Sequence, residues 1–409
     1  MKKINKILVS CYACSPNRGS EPGMGWNFVK GISENHEVHV IVEQEKWELE
    51  IEDYINKYPK EVENLHFYFI KKKRSRKLRK IWPPSYYYFY RQWQKKAYKL
   101  ALELNEKENF NLVHQLNMVG YREPGYLWKI DIPFVWGPIG GLETTPWSFL
   151  PSLGLKGMMH FTARNIINLF QKYISIRPRK AAKRNNNSLI SATPETQKEI
   201  YKIWNRESIV ITEVGSFKTN IREINTRENE VLIIVWSGLH EPRKNLGLLL
   251  ESLALVDVNW ELHILGEGTE TKKWKWLSKK LNLSDRCIWY GWQPLDKALD
   301  VFKKGHVFTI TSVHDLTSTV ILEALSFGLP IVCLDHCGFS HVVDDSCGIK
   351  ISVTTPKNAK YEFSKAIEKL YADEMFRQKL AKGALLRAEC FSWEKKIDKL
   401  NIIYEKLLK

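Results

Sequence analysis

The stretch Val307-Phe308-Thr309-Ile310, followed by His314-Asp315-Leu316-Thr317-Ser318-Thr319 and then Val320 to Leu325, decides how this chain is read. The first run is short, apolar and β-branched, as a buried strand requires. The second is polar and ends in hydroxyls, and Thr317 or Ser318 is a natural helix N-cap. Helix formers then run without a breaker to Gly328, and Leu329-Pro-Ile-Val-Cys-Leu334 reads as the next strand. Strand, polar loop, helix and strand make one βαβ unit, with the loop at the carboxyl end of its first strand. In open parallel sheets that edge is where ligands bind.

The chemistry of the loop fits an anionic ligand. Free N–H groups at a helix start, beside three hydroxyls, favour a phosphate. Asp315 and Glu323 stand eight positions apart, too far along one helix to act as a paired acid and base. They suit two different hydroxyls of one extended ligand. The plainer alternative is that Asp315 and Ser318 cap the helix while Glu323 is solvated.

His314-Asp-Leu-Thr-Ser-Thr-Val-Ile-Leu-Glu323 and the following Gly328-Leu-Pro330 resemble the signature of the family 4 retaining glycosyltransferases of GT-B fold. That signature has an acidic residue, seven residues, a glutamate, a small-residue run and Gly-x-Pro. Here the first acid is Asp315 in place of the usual Glu, and Thr317-Ser318 replaces an aromatic-glycine pair. The resemblance implies an α/β fold of two Rossmann-like domains facing each other across a nucleotide-sugar cleft. It places the acceptor-side domain at 1–215, with a last helix at 393–409 packing back on it, and the nucleotide-sugar domain at 216–392.

Other segments extend the likeness. Lys6 to Ser10 reads as a first strand emptying into Pro16 to Gly25, with a helix expected from Trp26 to about Ser33. Gly19, Gly23 and Gly25 allow close backbone approach, but no third glycine completes a dinucleotide fingerprint. A nicotinamide-dependent oxidoreductase is therefore disfavoured. Further strands are expected at 36–42, 110–116, 133–136, 188–192 and 209–212, and the polar run Thr219 to Glu230 reads as a linker. Val231 to Trp236 opens the second domain, followed by Glu241-Pro-Arg-Lys244, a recurring form in the family. Arg243 and Lys244 suit a diphosphate, the first in a bidentate way and the second as a point charge. Glu261 to Gly268 ends in Gly266-x-Gly268, and Asp335-His-Cys-Gly-Phe-Ser340 offers amides to donor phosphates. The family's other arginine falls on Gly238, and a common glutamate becomes His341.

By resemblance, Lys244, Arg243 and Asp315 form the catalytic set. Glu323, Thr317, Ser318, Thr319, Gly23, Gly25, Gly266, Gly338, Phe339 and Ser340 bind the donor. Lys244, Arg243 and the helix-start amides would stabilise the departing diphosphate, Glu323 would take ribose hydroxyls, and Asp315 a sugar hydroxyl. No metal and no cofactor beyond the nucleotide-sugar substrate is expected. The implied reaction moves a sugar to a hydroxyl of a glycan or lipid-linked glycan, in surface or exported polysaccharide assembly. The alternatives are a non-catalytic subunit of this fold, or another chemistry such as nucleotide-sugar epimerisation.

Composition sets the bounds. The chain has 409 residues, 44% hydrophobic and 26% charged, so two domains are expected. Lys+Arg number 62 against 46 Asp+Glu, giving a formal net charge of +16 and a pI near 9.3. That field favours anionic partners and says nothing about fold. Eight of the ten residues from Lys71 to Lys80 are basic, and Ile81-Trp-Pro-Pro-Ser-Tyr-Tyr-Tyr-Phe-Tyr-Arg-Gln-Trp93 follows. The pairing suits peripheral contact with an anionic membrane, or equally a solvated loop beside a helix whose aromatics enter the core. No nucleic-acid motif accompanies the charge. His114 reads as a hydrogen-bonded core histidine in preference to a cleft residue, and 149–183 as a basic, amphipathic arm. Seven cysteines make no disulfide framework, and Cys11-Tyr-Ala-Cys14 lacks a second pair for zinc. Without a leader or a membrane-length apolar run, a cytoplasmic protein is expected, at most resting on the inner face of the plasma membrane.

Overall fold

The chain is described by a computed structural model covering residues 4–82, 84–217, 224–227 and 231–409. It divides into two units. The first comprises 1–142, 171–214 and 393–409, the second 143–170 and 215–392. Residues 143–170, expected with the first domain, belong to the second. The reason is packing: Phe149, Leu150, Leu153 and Phe161 are buried in the second unit's core.

The first unit is built on a parallel sheet of β1 (Lys6–Cys11), β2 (Glu37–Glu43), β3 (Leu65–Ile70), β4 (Leu112–Asn117), β5 (Phe134–Ile139), β6 (Asn187–Ser191) and β7 (Ile209–Val210). The order is β3-β2-β1-β4-β5-β6-β7. Every residue of β4 and β5 is buried, as expected for strands covered on both faces. Helix α1 (Ser20–Ser33) begins well before Trp26, so Gly23 and Gly25 lie inside a helix and not in a loop ahead of one. Glu21 lies in its first turn, where its carboxylate accepts from the Val119 amide at 3.0 Å. The last helix, Trp393–Leu407, packs on this unit. Trp393 meets Phe28 edge to face, and Ile397, Leu400, Ile403 and Tyr404 are buried with β1 and α1.

The second unit carries β8 (Leu232–Ser237), β9 (Trp260–Leu265), β10 (Cys287–Gly291), β11 (Val307–Ile310), β12 (Ile331–Leu334) and β13 (Gly348–Ile351). They form a parallel sheet in the order β10-β9-β8-β11-β12-β13. Strands β8 and β11 are neighbours, with Val307 opposite Ile234. The loops after both therefore leave the same edge at the centre of the sheet. Strand order reverses beside β8, which makes this edge the topological switch point.

Edge strands β3 and β13 were not foreseen in the sequence; past Leu65 the first has an exposed His66 and then only half-buried side chains, and the second is four residues long. Most of the expected linker, and the start Met1-Lys-Lys, lie outside the described residues. What is described of that linker is held by the second unit: Asn225 donates to the Lys303 and Gly305 carbonyls, and Arg227 to that of Tyr371.

Candidate active site

The second unit brings three expected residues together at the switch-point edge. Lys244 ends a short 3-10 turn, Pro242–Lys244, after β8. Asp315 lies in the loop after β11. The Lys244 ammonium donates to Asp315 Oδ2, and the Arg243 guanidinium lies 3.4 Å from Asp315 Oδ1. The two loops are laced at the backbone as well. The Val313 amide donates to the Arg243 carbonyl at 2.9 Å, Thr311 Oγ1 to the Lys244 carbonyl at 2.9 Å, and Arg243 to the His314 carbonyl at 3.1 Å.

This cluster sits out of bulk water, with Lys244 only 6% exposed. Burial by itself would push the Asp315 carboxyl up. The neighbouring charges of Lys244 and Arg243 outweigh it and hold the group below its ordinary range. Asp315 is thus an anion fixed between two cations, and Arg243 is shared with a second carboxylate, donating from Nε to Glu241 Oε2 at 2.9 Å. His314 next to it is neutral: burial, then the charges of Arg164 and Arg243, lower its pKa to about 3. Its Nδ1 lies 3.1 Å from Thr145 Oγ1, and its ring lies against Phe161. No sequence signal links Thr145 to His314, which are 169 positions apart.

The signature helix runs Thr319–Ser326. Ser318 is its N-cap, but with φ 71° and no side-chain capping bond. The hydroxyl that would ordinarily close the first turn leaves it free for a ligand, while Ser318 and Thr319 remain partly exposed. Thr317 differs: it is fully buried. Its surroundings explain Gly338. A Cβ there would stand 2.5 Å from Thr317 Oγ1 and 2.7 Å from Thr317 Cα, while the Gly338 amide donates to the Leu316 carbonyl at 3.0 Å.

Glu323 lies one turn into the same helix. No cation among the described residues pairs with its carboxyl, and burial alone raises its pKa to about 7. A partly enclosed, unpaired carboxyl beside a free helix start suits a ligand's hydroxyl pair.

The remaining expected residues are less directly placed. The Phe339 side chain is fully buried, leaving only its backbone to meet a ligand. The Ser340 hydroxyl is engaged with Asp335 Oδ1 at 2.6 Å. Gly266 has φ +108°, and a Cβ there would lie 2.0 Å from the Gly238 carbonyl, so it allows β9 to turn beside the β8 loop. At Gly238 a Cβ would meet only ordinary contacts with Trp236 and the Lys244 stem. In the first unit, Gly23 and Gly25 serve helix packing: a Cβ on them would lie 2.2 Å from the carbonyls of Arg18 and Ala13 respectively. Gln293 donates to the Tyr290 carbonyl at 2.7 Å, while Trp292 is exposed. His114 is a buried core residue between Tyr404 and Gly137.

Comparison with known families adds the deciding observation: residues 217–387 match the family described as glycosyl transferases group 1. That segment is a group 1 glycosyl transferase domain. The group 1 domain contains Lys244, Arg243, Asp315 and Glu323. Among curated relatives, a lipopolysaccharide 1,6-galactosyltransferase of Escherichia coli is 34% identical over 110 residues, 26% of this chain and 31% of the relative. The chain thus spans about a third of the length of that relative. An N-acetylgalactosamine-N,N'-diacetylbacillosaminyl-diphospho-undecaprenol 4-alpha-N-acetylgalactosaminyltransferase of Campylobacter jejuni is 26% identical over 156 residues, 38% of this chain and 41% of the relative. Among solved structures, Anabaena HepE in complex with UDP aligns with a TM-score of 0.66 and 14% identity, covering 98% of this chain and 100% of that one. The chain has the two-unit α/β fold of the GT-B class, and the matched segment lies within its second unit.

Among the described residues, one group of side chains stands within metal-ligand reach, Glu37, His39 and His66 of the first unit. All seven cysteines are free thiols.

Proposed function

We propose that this protein is a retaining glycosyltransferase that moves a sugar from a nucleotide donor to a hydroxyl of a glycan or lipid-linked glycan, in surface or exported polysaccharide assembly. The observation that carries the reading is the Arg243–Lys244–Asp315 cluster beside an uncapped helix start, with Glu323 unpaired one turn further in. The relatives' names, a lipopolysaccharide galactosyltransferase and a transferase acting on a diphospho-undecaprenol glycan, support the acceptor class.

In this reaction the bond from the anomeric carbon to the donor phosphate breaks, and a bond to the acceptor oxygen forms on the same face. Negative charge develops on the departing diphosphate. Lys244, Arg243 and the amides at Ser318 and Thr319 stabilise it, and the acceptor's proton passes to a phosphate oxygen. Asp315 holds both cations in place and presents its remaining lone pairs to a sugar hydroxyl. Glu323 takes the ribose diol. These protein charges serve without a metal ion. Loss of one such stabilising donor typically costs about 2.7–4 kcal/mol of barrier, on the order of 10²–10³ in rate.

The working place in this reading is the cytoplasmic face of a membrane. Among the described residues no helix is long and apolar enough to cross one. Peripheral contact is supported by helix α5 (Gly154–Ile174), which exposes Met159, Ile166, Ile167 and Phe170, and by exposed Ile81, Trp82, Tyr87 and Tyr88.

Thermal stabilisation by a panel of UDP-, GDP- and ADP-sugars, followed by NMR of the product's anomeric configuration, tests the proposal. Stabilisation by one base class and transfer with retention are expected. Inversion at the anomeric carbon, or conversion of the donor sugar without acceptor, would contradict it.

A further inference from the structure

The first unit contains a second basic site, remote in sequence from the signature. Tyr12 follows β1, Lys46 lies in the first turn of α2 (Gln44–Lys57) after β2, and Lys72 follows β3. With Arg79 of α3 (Arg76–Ile81) and Ser85 and Tyr86 of α4 (Ser85–Glu108), they line a pocket of about 190 Å³. It therefore opens at the carboxyl edge of the sheet, where α/β folds place ligands. Its volume is below the range for drug-sized ligands and leaves room for a compact group.

Its charge is not balanced from within. Arg74, at the rim, is paired with Glu43 at 2.6 Å. Among the described residues Lys46, Lys72 and Arg79 have no carboxylate partner within ion-pair distance. Lys72 is 3% exposed, donates to the Tyr12 hydroxyl at 3.1 Å and stands 3.7 Å over the Tyr86 ring. Burial, then the charges of Arg74, Lys46 and Arg79, lower its pKa to about 8 against a smaller opposing effect of Glu43. An ammonium buried among other cations is costly unless an anion joins it.

A separate observation points the same way. The Ser85 hydroxyl is fully buried, lines this pocket and has no hydrogen-bond partner among the described residues. Ser85 is also the first residue of the 24-residue α4, whose positive end therefore faces the site. One bound anion would satisfy the Ser85 hydroxyl, the helix start and the cations of Lys46, Lys72 and Arg79 together.

We propose that this pocket binds a phosphoryl group, a phosphomonoester or one end of a diphosphate, and that in the reaction the group belongs to the acceptor. The second clause rests on the glycosyltransferase reading; the first does not. The aromatic walls of Tyr12, Tyr86 and Phe89 suit the carbon skeleton attached to such a group.

The test uses the full chain and its Lys46→Gln and Arg79→Gln variants, both at exposed positions, where surface substitutions usually change stability little. Calorimetric titration with inorganic pyrophosphate is expected to show binding that each variant weakens about tenfold, the usual worth of one charge-assisted contact. Thermal stabilisation by nucleoside diphosphates should not change in either variant, which keeps this result separate from the fate of the donor site. Equal pyrophosphate affinity in wild type and both variants would overturn the proposal. So would variants that lose flotation with phosphatidylglycerol vesicles yet keep pyrophosphate binding, because the charge would then be serving a lipid surface and not a pocket. Inorganic phosphate and a glycosyl-1-phosphate, run in parallel, separate recognition of the bare ion from recognition of the ester.

Discussion

Lys244 and Asp315, which are 71 positions apart, form a buried ion pair across two loops that leave neighbouring strands. The pairing changes what a substitution at Lys244 does. Removing the ammonium leaves a carboxylate away from water with Arg243 as its remaining cation. Breaking a buried pair from one side typically costs about 3–5 kcal/mol. Lys244→Met should therefore lower stability as well as turnover, the latter by on the order of 10²–10³. Lys244→Met/Asp315→Leu should recover most of the stability and none of the activity. Urea unfolding and initial rates on the two proteins separate the effects; a double variant with restored turnover would rule out the electrostatic role.

Glu323 sets a pH dependence whose sign follows from its raised pKa, about 7 folded against 4.5 ordinarily. The folded state holds the proton more tightly, so stability is greatest below the lower value and declines as pH rises through the interval. Glu323→Gln should be neutral at pH 4 and stabilising by about 2 kcal/mol at pH 8. The same variant should bind the nucleotide about tenfold more weakly, the loss of a hydrogen bond to a charged group. Thermal melts across pH and a nucleotide titration check both halves.

Gly338→Ala tests the packing of the signature loop. The new methyl meets backbone at Thr317 Cα and the Leu316 carbonyl, neither of which is a flexible side-chain end. Overpacking of this kind typically costs about 1–3 kcal/mol. A lowered melting temperature with weakened donor binding is expected, and an unchanged protein would show that the loop is slack.

Tyr404→Phe probes the first unit without touching the proposed chemistry. The His114 Nε2 hydrogen bonds to the Gly137 carbonyl at 2.8 Å, so the ring's Nδ1 accepts from the Tyr404 hydroxyl at 2.6 Å. Burial lowers the pKa of His114 to about 4, and a neutral ring is consistent with this arrangement. Loss of the hydroxyl leaves a buried acceptor bare, at about 1–3 kcal/mol. Chemical denaturation should show that loss, while the turnover per folded molecule stays the same.

The strand-loop-helix-strand order around Asp315 was legible because its apolar runs, polar loop and Gly-Pro break are all local signals. So was the placement of Arg243 and Lys244 after a strand. Other features depend on partners distant in sequence and left no local trace. The Lys244–Asp315 bond, the contact of Thr145 with His314 and the docking of 143–170 on the second unit are of that kind. The early start of α1 was missed because Gly23 and Gly25 resemble loop residues; close packing against Ala13 and Arg18 is what requires them. The run at 71–80 read as uniform charge, whereas the fold buries Lys72 beneath Tyr86 and leaves its neighbours outside.

The most direct test is calorimetric titration of the wild-type chain and Glu323→Gln with UDP, GDP and ADP, in EDTA to remove metal ions. One nucleoside diphosphate should bind the wild type and bind Glu323→Gln about tenfold more weakly. Absence of binding by all three, or equal affinity in the two proteins, would contradict a metal-free donor site built from Lys244, Arg243 and Glu323.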